Sequence, residues 1–327
     1  MQATTRILVS LCAAVLTTAA PLSAGAASNW PERPISLVVP YPAGGTTDIV
    51  GRQLARLMQD ELGQTVVVEN KAGAATAIGT SYVARSNNDG YTLLISAGTT
   101  FTTNPHMQAS LPYKLEDFVP VSAVVSVPFA FVVRQDFPAQ NIQEFIDYAK
   151  ANPKKINNAT NGQGSMVHLL GELVASGLGI EMTQVHYRGA APAAVDLMAG
   201  IVDSNIEALT NAVPNIRAGK YRPLAVLSEE RMQLLPDTPT FKELGYPSIT
   251  GESWFAIFAP AGTPEPVINK LNGALKKITT STEFQDAMRN MGNEPRYSTP
   301  DDLRALTIKQ REEWGNLIKQ INLKPQQ

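Results

Sequence analysis

The side chains able to do covalent chemistry are few and poorly placed for it. The chain carries three histidines, His106, His168 and His186, and one cysteine, Cys12. It contains no G-x-S-x-G elbow and no H-E-x-x-H pair, and no paired carboxylates close a strand-like run. Ser165 and His168 form the one nucleophile–base candidate. A serine just ahead of an apolar helical pattern is more simply an N-cap, and no aspartate is placed to orient the histidine. A hydrolase is therefore the weakest reading. His106 follows Asn104-Pro105 in a loop, and His186 falls within the strand-like TQVHYRG run. No His or carboxylate pair has ligand spacing, so neither a metal nor a cofactor is expected.

Backbone chemistry is better represented. Leu37–Asp48 reads LVVPYPAGGTTD, an apolar β-branched run broken by Pro40, Pro42, Gly44 and Gly45. Thr46, Thr47 and Asp48 are N-cap types, and IVGRQLARLMQDELG continues with apolar residues at helical spacing. A strand, a Gly-rich turn and a helix start together point bare N–H groups at an anion. The glycines are not followed by Lys-Ser/Thr, so this is no nucleotide P-loop, and Gly44-Gly45 does not complete a dinucleotide fingerprint. A turn using glycine only for its geometry fits the stretch equally well.

The same logic recurs at Asn161, Gly162 and Ser165 in NGQGSMVHLLGEL. Two such helix starts facing each other would hold a carboxylate without an arginine. Arg188 is the candidate side-chain cation, or a solvated turn residue. Tyr41, Phe101 and Tyr187 could wall the ligand body, or pack at a domain surface. Asp48 reads as a cap, and Asp203 either as a second-domain edge residue or as the end of a turn.

These loops need elements to position them. TVVVEN (65–70) and YTLLISAG (91–98) follow the first strand with helices between, which predicts a right-handed βαβαβ unit with a parallel sheet. Its ligand edge would be 41–48, 70–76 and 97–104. Phe118–Arg134 holds two β runs with no helix between them, broken at Val127-Pro128, and suggests a crossing into a second domain. Alternating elements up to VDSNIEALT give a second α/β unit. Tyr221–Ser228 reads as the way back, with the helical C-terminal part packing on the first domain.

The chain has 327 residues and a formal charge of −2, with no basic run to engage nucleic acid or anionic lipid. Met1–Arg6, the apolar Ile7–Ala20 and Ala24-Gly25-Ala26 have the order of a cleaved secretory signal, and Leu11 before Cys12 argues against a lipid anchor. Cleavage leaves roughly 300 residues, enough for two domains, and no cysteine for disulfides.

Together WPERPISLVVPYPAGGTTD, VVENKAGA with IGT, DGYTLL, NPHM, GQGSMVHLLGEL, VHYRGAAPA, LPDTPTF and WFAIFAPAGTP resemble the Bug-type solute-binding receptors of tripartite tricarboxylate transporters. The resemblance implies an α/β, two-lobed, type II periplasmic-binding-protein fold, each lobe a mostly parallel sheet flanked by helices, with the ligand cleft between them. It implies a signal peptide over 1–27, a first lobe of 28–126 and 227–327, and a second of 127–226. First-lobe contacts map to Tyr41, Ala43, Gly44, Gly45, Thr46, Asp48, Ala75 and Thr99. Second-lobe contacts map to Thr160, Gly162, Ser165, His168, Tyr187, Arg188 and Asp203. Phe101, Asn161 and Arg188 would meet the ligand's distal end. Where the family usually has Gly-Ala-Gly-Gly, Lys71 is here followed by Ala72-Gly73-Ala74-Ala75-Thr76, which narrows or rearranges that loop. The implied protein is a periplasmic monomer without catalysis that captures a mono- or dicarboxylate and passes it to membrane partners. A subunit that reports the ligand to a sensor kinase is the alternative.

Overall fold

The computed structural model describes residues 29–324; the expected signal peptide, with Cys12, lies outside the described residues. Among the described residues no helix is long and apolar enough to cross a membrane. The strands are β1 (Ile35–Val39), β2 (Val66–Asn70), β3 (Thr92–Ala97), β4 (Phe118–Val127), β5 (Phe129–Arg134), β6 (Asn157–Thr160), β7 (Thr183–His186), β8 (Ser204–Ala208), β9 (Tyr221–Val226), β10 (Ser253–Pro260) and β11 (Glu294–Pro295). They form a six-stranded sheet, ordered β11-β4-β10-β3-β1-β2, and a five-stranded sheet, ordered β7-β6-β8-β5-β9.

Neither sheet is mostly parallel in its pairing, which corrects the expectation. β1 pairs parallel with β2 and β3, but β10 is antiparallel to both β3 and β4. β6 likewise pairs parallel with β7 and β8, while β5 is antiparallel to β8 and β9. The parallel halves are those with helical crossovers. The strands that carry the chain between the sheets lack such a crossover and enter antiparallel.

Both faces of each sheet are covered, as the continuous apolar strands require. Leu37 and Val39 enter one core of the first sheet and Val38 the other, while Phe131 and Val133 are split from Ala130 and Val132 across the second. The chain changes sheet at Pro128, which has no N–H to extend a ladder. Between β9 and β10, residues 227–252 differ from the first-lobe expectation: Leu227, Phe241 and Ile249 are buried with the second sheet. The C-terminal helix, Pro300–Gln320, is also shared. Leu303 packs with Trp254 and Phe258 on the first sheet, whereas Trp314, Leu317 and Ile318 enter the second sheet's core.

Candidate functional site

Because β1, β2 and β3 run parallel, loops 40–48, 71–76 and 98–104 leave one edge of the sheet together. Gly45, not a threonine, is the N-cap of helix Thr46–Leu62, and no side chain caps it. The first-turn N–H groups therefore lack both intrahelical and cap acceptors. Ala43, Gly44, Gly45 and Thr46 are exposed, with Gly44 at φ +82°, where glycine avoids the Cβ penalty.

Asp48 faces inward and is buried. Its Oδ2 accepts the Gly44 N–H at 2.8 Å and Arg52 Nε at 3.0 Å, and its Oδ1 accepts Asn70 Nδ2 at 2.9 Å. Burial pushes this carboxyl up, but the bonds from Arg52, Gly44 and Asn70 outweigh it and hold it below the usual carboxylate range. Asn70 also donates to Tyr41 O at 3.2 Å and accepts from Arg52 at 3.0 Å. Asp48 thus shapes the loop from behind. Arg52 and Asn70 were not singled out in the sequence; the Asp48–Arg52 i,i+4 spacing was the available signal.

In the second loop Ala75 is exposed and its carbonyl accepts Asn104 Nδ2 at 2.8 Å. In the third, Thr99 is partly exposed, but Phe101 is only 1% exposed. Its ring lies 4.6 Å from Phe258 and 5.1 Å from Phe118, so Phe101 is core and not a ligand wall. Helical spacing within Thr99–Thr102 turns it inward.

In the second sheet, β6 and β7 deliver Asn161–Ser165 and Tyr187–Gly189 to one edge. Ser165 caps helix Met166–Leu178, its Oγ accepting the His168 N–H at 3.2 Å. The buried His168 accepts the Gly164 N–H on Nδ1 at 3.0 Å. That bond requires an unprotonated Nδ1, leaving the ring proton of the neutral form on Nε2, 3.6 Å from Glu172. Ser165 and His168 consequently act as a cap and a loop brace. Thr160 Oγ1 meets His186 Nδ1 at 2.7 Å. Burial, then the neighbouring His168, lowers the His186 pKa.

Tyr187 is half-buried. Its hydroxyl donates to Asp196 at 2.7 Å, and burial followed by Asp196 pushes its pKa up to about 12. Arg188 is exposed. Asp203 precedes β8 and so sits at the opposite, amino edge of the parallel strands, where it accepts the Asn157 N–H at 2.9 Å and Arg134 Nε at 3.2 Å. It is a structural ion pair and is removed from the candidate site.

Three polar atoms among these loops, Tyr41 OH, Thr102 Oγ1 and Asn161 Oδ1, are buried without a protein partner. The two units meet beside them: a Cβ on Gly164 would lie 2.4 Å from Met107 Cε. A concavity of about 850 Å³ beside Tyr82 and Arg85 reaches the second loop at Ala74, and one of about 670 Å³ lies beside Glu252 and Trp314.

Two α/β units crossed twice by the chain, each with a Gly-rich helix start, have the architecture of a type II solute-binding receptor. The chain belongs to the family described as the tripartite tricarboxylate transporter family receptor, whose model matches residues 50–323. Protein BugT of Bordetella pertussis is 39% identical over 94% of this chain and 94% of its own length. The solved periplasmic binding protein BugD is 39% identical, with a TM-score of 0.74 over 91% of this chain and 100% of its own. A protein of R. palustris solved with adipate is 33% identical, with a TM-score of 0.79 over 91% of this chain and 100% of its own.

Proposed function

We propose that this chain is a periplasmic receptor that captures a small organic carboxylate, with a C4–C6 dicarboxylate as the preferred class, and delivers it to the membrane components of a tripartite transporter. The observation that carries the reading is the pair of uncapped or loop-braced helix starts at Gly44–Asp48 and Gly162–Ser165. In this reading one carboxylate docks on the unpaired first-turn N–H groups of the helix that starts at Thr46, against the exposed backbone of Ala43–Gly45 and beside Thr99 and Ala75. The second unit then closes with Thr160, Asn161, Gly162, Ser165 and Arg188, and Tyr41 OH finds its missing partner on a ligand oxygen. Closure is a population shift driven by contacts that the open form cannot make. The adipate-bound relative supports a second carboxylate at the far end, with Arg188 as its cation.

A thermal-shift screen of the mature protein against succinate, malate, adipate, citrate, amino acids and aromatic acids tests this. A micromolar ligand at millimolar concentration adds about 4 kcal/mol. A selective shift with dicarboxylates supports the reading. No shift in protein that has been unfolded, dialysed and refolded rejects it.

A further inference from the structure

We propose that Asn104 is a positioning residue for ligand binding, its side-chain amide holding the Ala74–Thr76 turn in the conformation that the candidate site uses. The inference rests on the receptor reading above. The chain leaves β2 at Asn70 and must reverse into helix Ala77–Ala84. It does so through three consecutive non-glycine residues with positive φ: Ala74 at +46°, Ala75 at +48° and Thr76 at +79°. Each sets its Cβ against the following carbonyl, a conformation that glycine tolerates and alanine or threonine resists. Such a run persists only where its surroundings over-determine it.

The surroundings are specific. Within the turn, the Ala77 N–H reaches Ala74 O at 2.9 Å. From outside it, Asn104 Nδ2 donates to Ala75 O at 2.8 Å and reaches Thr76 Oγ1 at 3.4 Å. A carbonyl can only accept, so the amide nitrogen must face Ala75, and the orientation of Asn104 is fixed by chemistry. Thr76 Oγ1 continues to Thr100 Oγ1 at 3.3 Å, and that hydroxyl to Ser96 Oγ at 2.7 Å.

The brace is itself anchored. Asn104 opens the short helix Asn104–Met107, in which His106 Nε2 lies 2.9 Å from Arg311 O of the C-terminal helix. Met107, at its other end, rests on Gly164 of the second unit's loop. One short helix therefore reaches both candidate loops. Successive N–H groups in a turn of this kind form a concavity suited to an anion, and without Asn104 the turn would relax toward negative φ and lose that shape.

The test uses Asn104→Ala, Asn104→Asp and the pair Ala74→Gly/Ala75→Gly in the mature protein. Two readouts are hydrogen exchange of the peptide 71–80 without ligand and calorimetric titration with adipate and succinate. Asn104→Ala should speed exchange in 71–80 relative to the rest of the chain and weaken binding about tenfold. Asn104→Asp keeps the volume but sets a carboxylate against Ala75 O, so it should be at least as damaging. In the glycine background, where the Cβ conflict remains only at Thr76, Asn104→Ala should cost less than about threefold. Wild-type behaviour of the Asp variant, or an equal loss in both backgrounds, would overturn the proposal and leave the receptor reading intact. If the wild type binds neither acid, the receptor reading fails, while exchange in 71–80 still decides whether Asn104 braces the turn.

Discussion

Glu207 offers a stability test independent of any ligand. It lies on the central strand β8, is 3% exposed, and neither carboxylate oxygen has a hydrogen-bond partner. The nearby Tyr221 hydroxyl donates instead to Ala194 O at 3.3 Å. Burial, only slightly offset by Tyr221, raises its pKa from 4.5 to about 7. A carboxyl whose folded pKa exceeds its unfolded one favours folding fully at low pH. That contribution is lost between the unfolded value of 4.5 and the folded value of about 7. At 1.36 kcal/mol per unit, the loss amounts to about 3 kcal/mol. Glu207→Gln keeps the shape and cannot ionise. Calorimetric melting should show the two proteins similar near pH 4.5 and the variant more stable at pH 8, by roughly 5–10 °C. Position 207 is the one difference between the two proteins, so the difference curve isolates Glu207. Parallel pH curves would refute the reasoning and mean that the carboxylate finds a partner in solution.

Asp48→Asn should destabilise the protein by about 2 kcal/mol at neutral pH and weaken carboxylate binding. The Asp48 pKa is lowered from 3.8 on folding, so the stability difference should hold above that value and close as pH falls through the folded pKa, as melting curves at pH 2–7 would register. Phe101→Ala should cost about 3–5 kcal/mol in denaturant unfolding; affinity lost out of proportion to stability would return Phe101 to the site. Asp203→Asn should cost about 1 kcal/mol and leave titration with adipate unchanged, since its partners are Arg134 and Asn157.

The helix starts were readable because local rules fix them: glycine where φ is positive, serine at the N-cap, apolar residues at helical spacing. Ser165 caps its helix as its position suggests. The first helix begins at the same place, yet its cap is Gly45, because Asp48 is drawn inward by Arg52 and Asn70. That preference is tertiary, and no local rule ranks it above capping. Phe101 failed as a wall for a related reason. An aromatic residue near a strand end has two sides to turn to, and the deciding neighbour, Phe258, is distant in sequence. Asp203 could have been placed correctly: residues that precede a parallel strand stand at its amino edge, away from the ligand edge. The sharing of the C-terminal helix between both cores was not legible, since its apolar stripe carries no record of which sheet it covers.

An acid in the first turn of a helix is a poor neighbour for a carboxylate unless its charge is already spent. Asp48 meets that condition: Arg52 neutralises it, and Gly44 and Asn70 take up its oxygens. At the other helix start the cap is the neutral Ser165, and His168 accepts from Gly164 through an unprotonated nitrogen. In the proposed mode both docks are therefore formally neutral and attract an anion through oriented N–H groups, which hold a carboxylate only where their directions converge. Discrimination then follows the spacing between the docks and the reach of Arg188 more than the ligand's total charge. In that proposed mode a third carboxylate would be desolvated without a dock of its own, which would disfavour tricarboxylates.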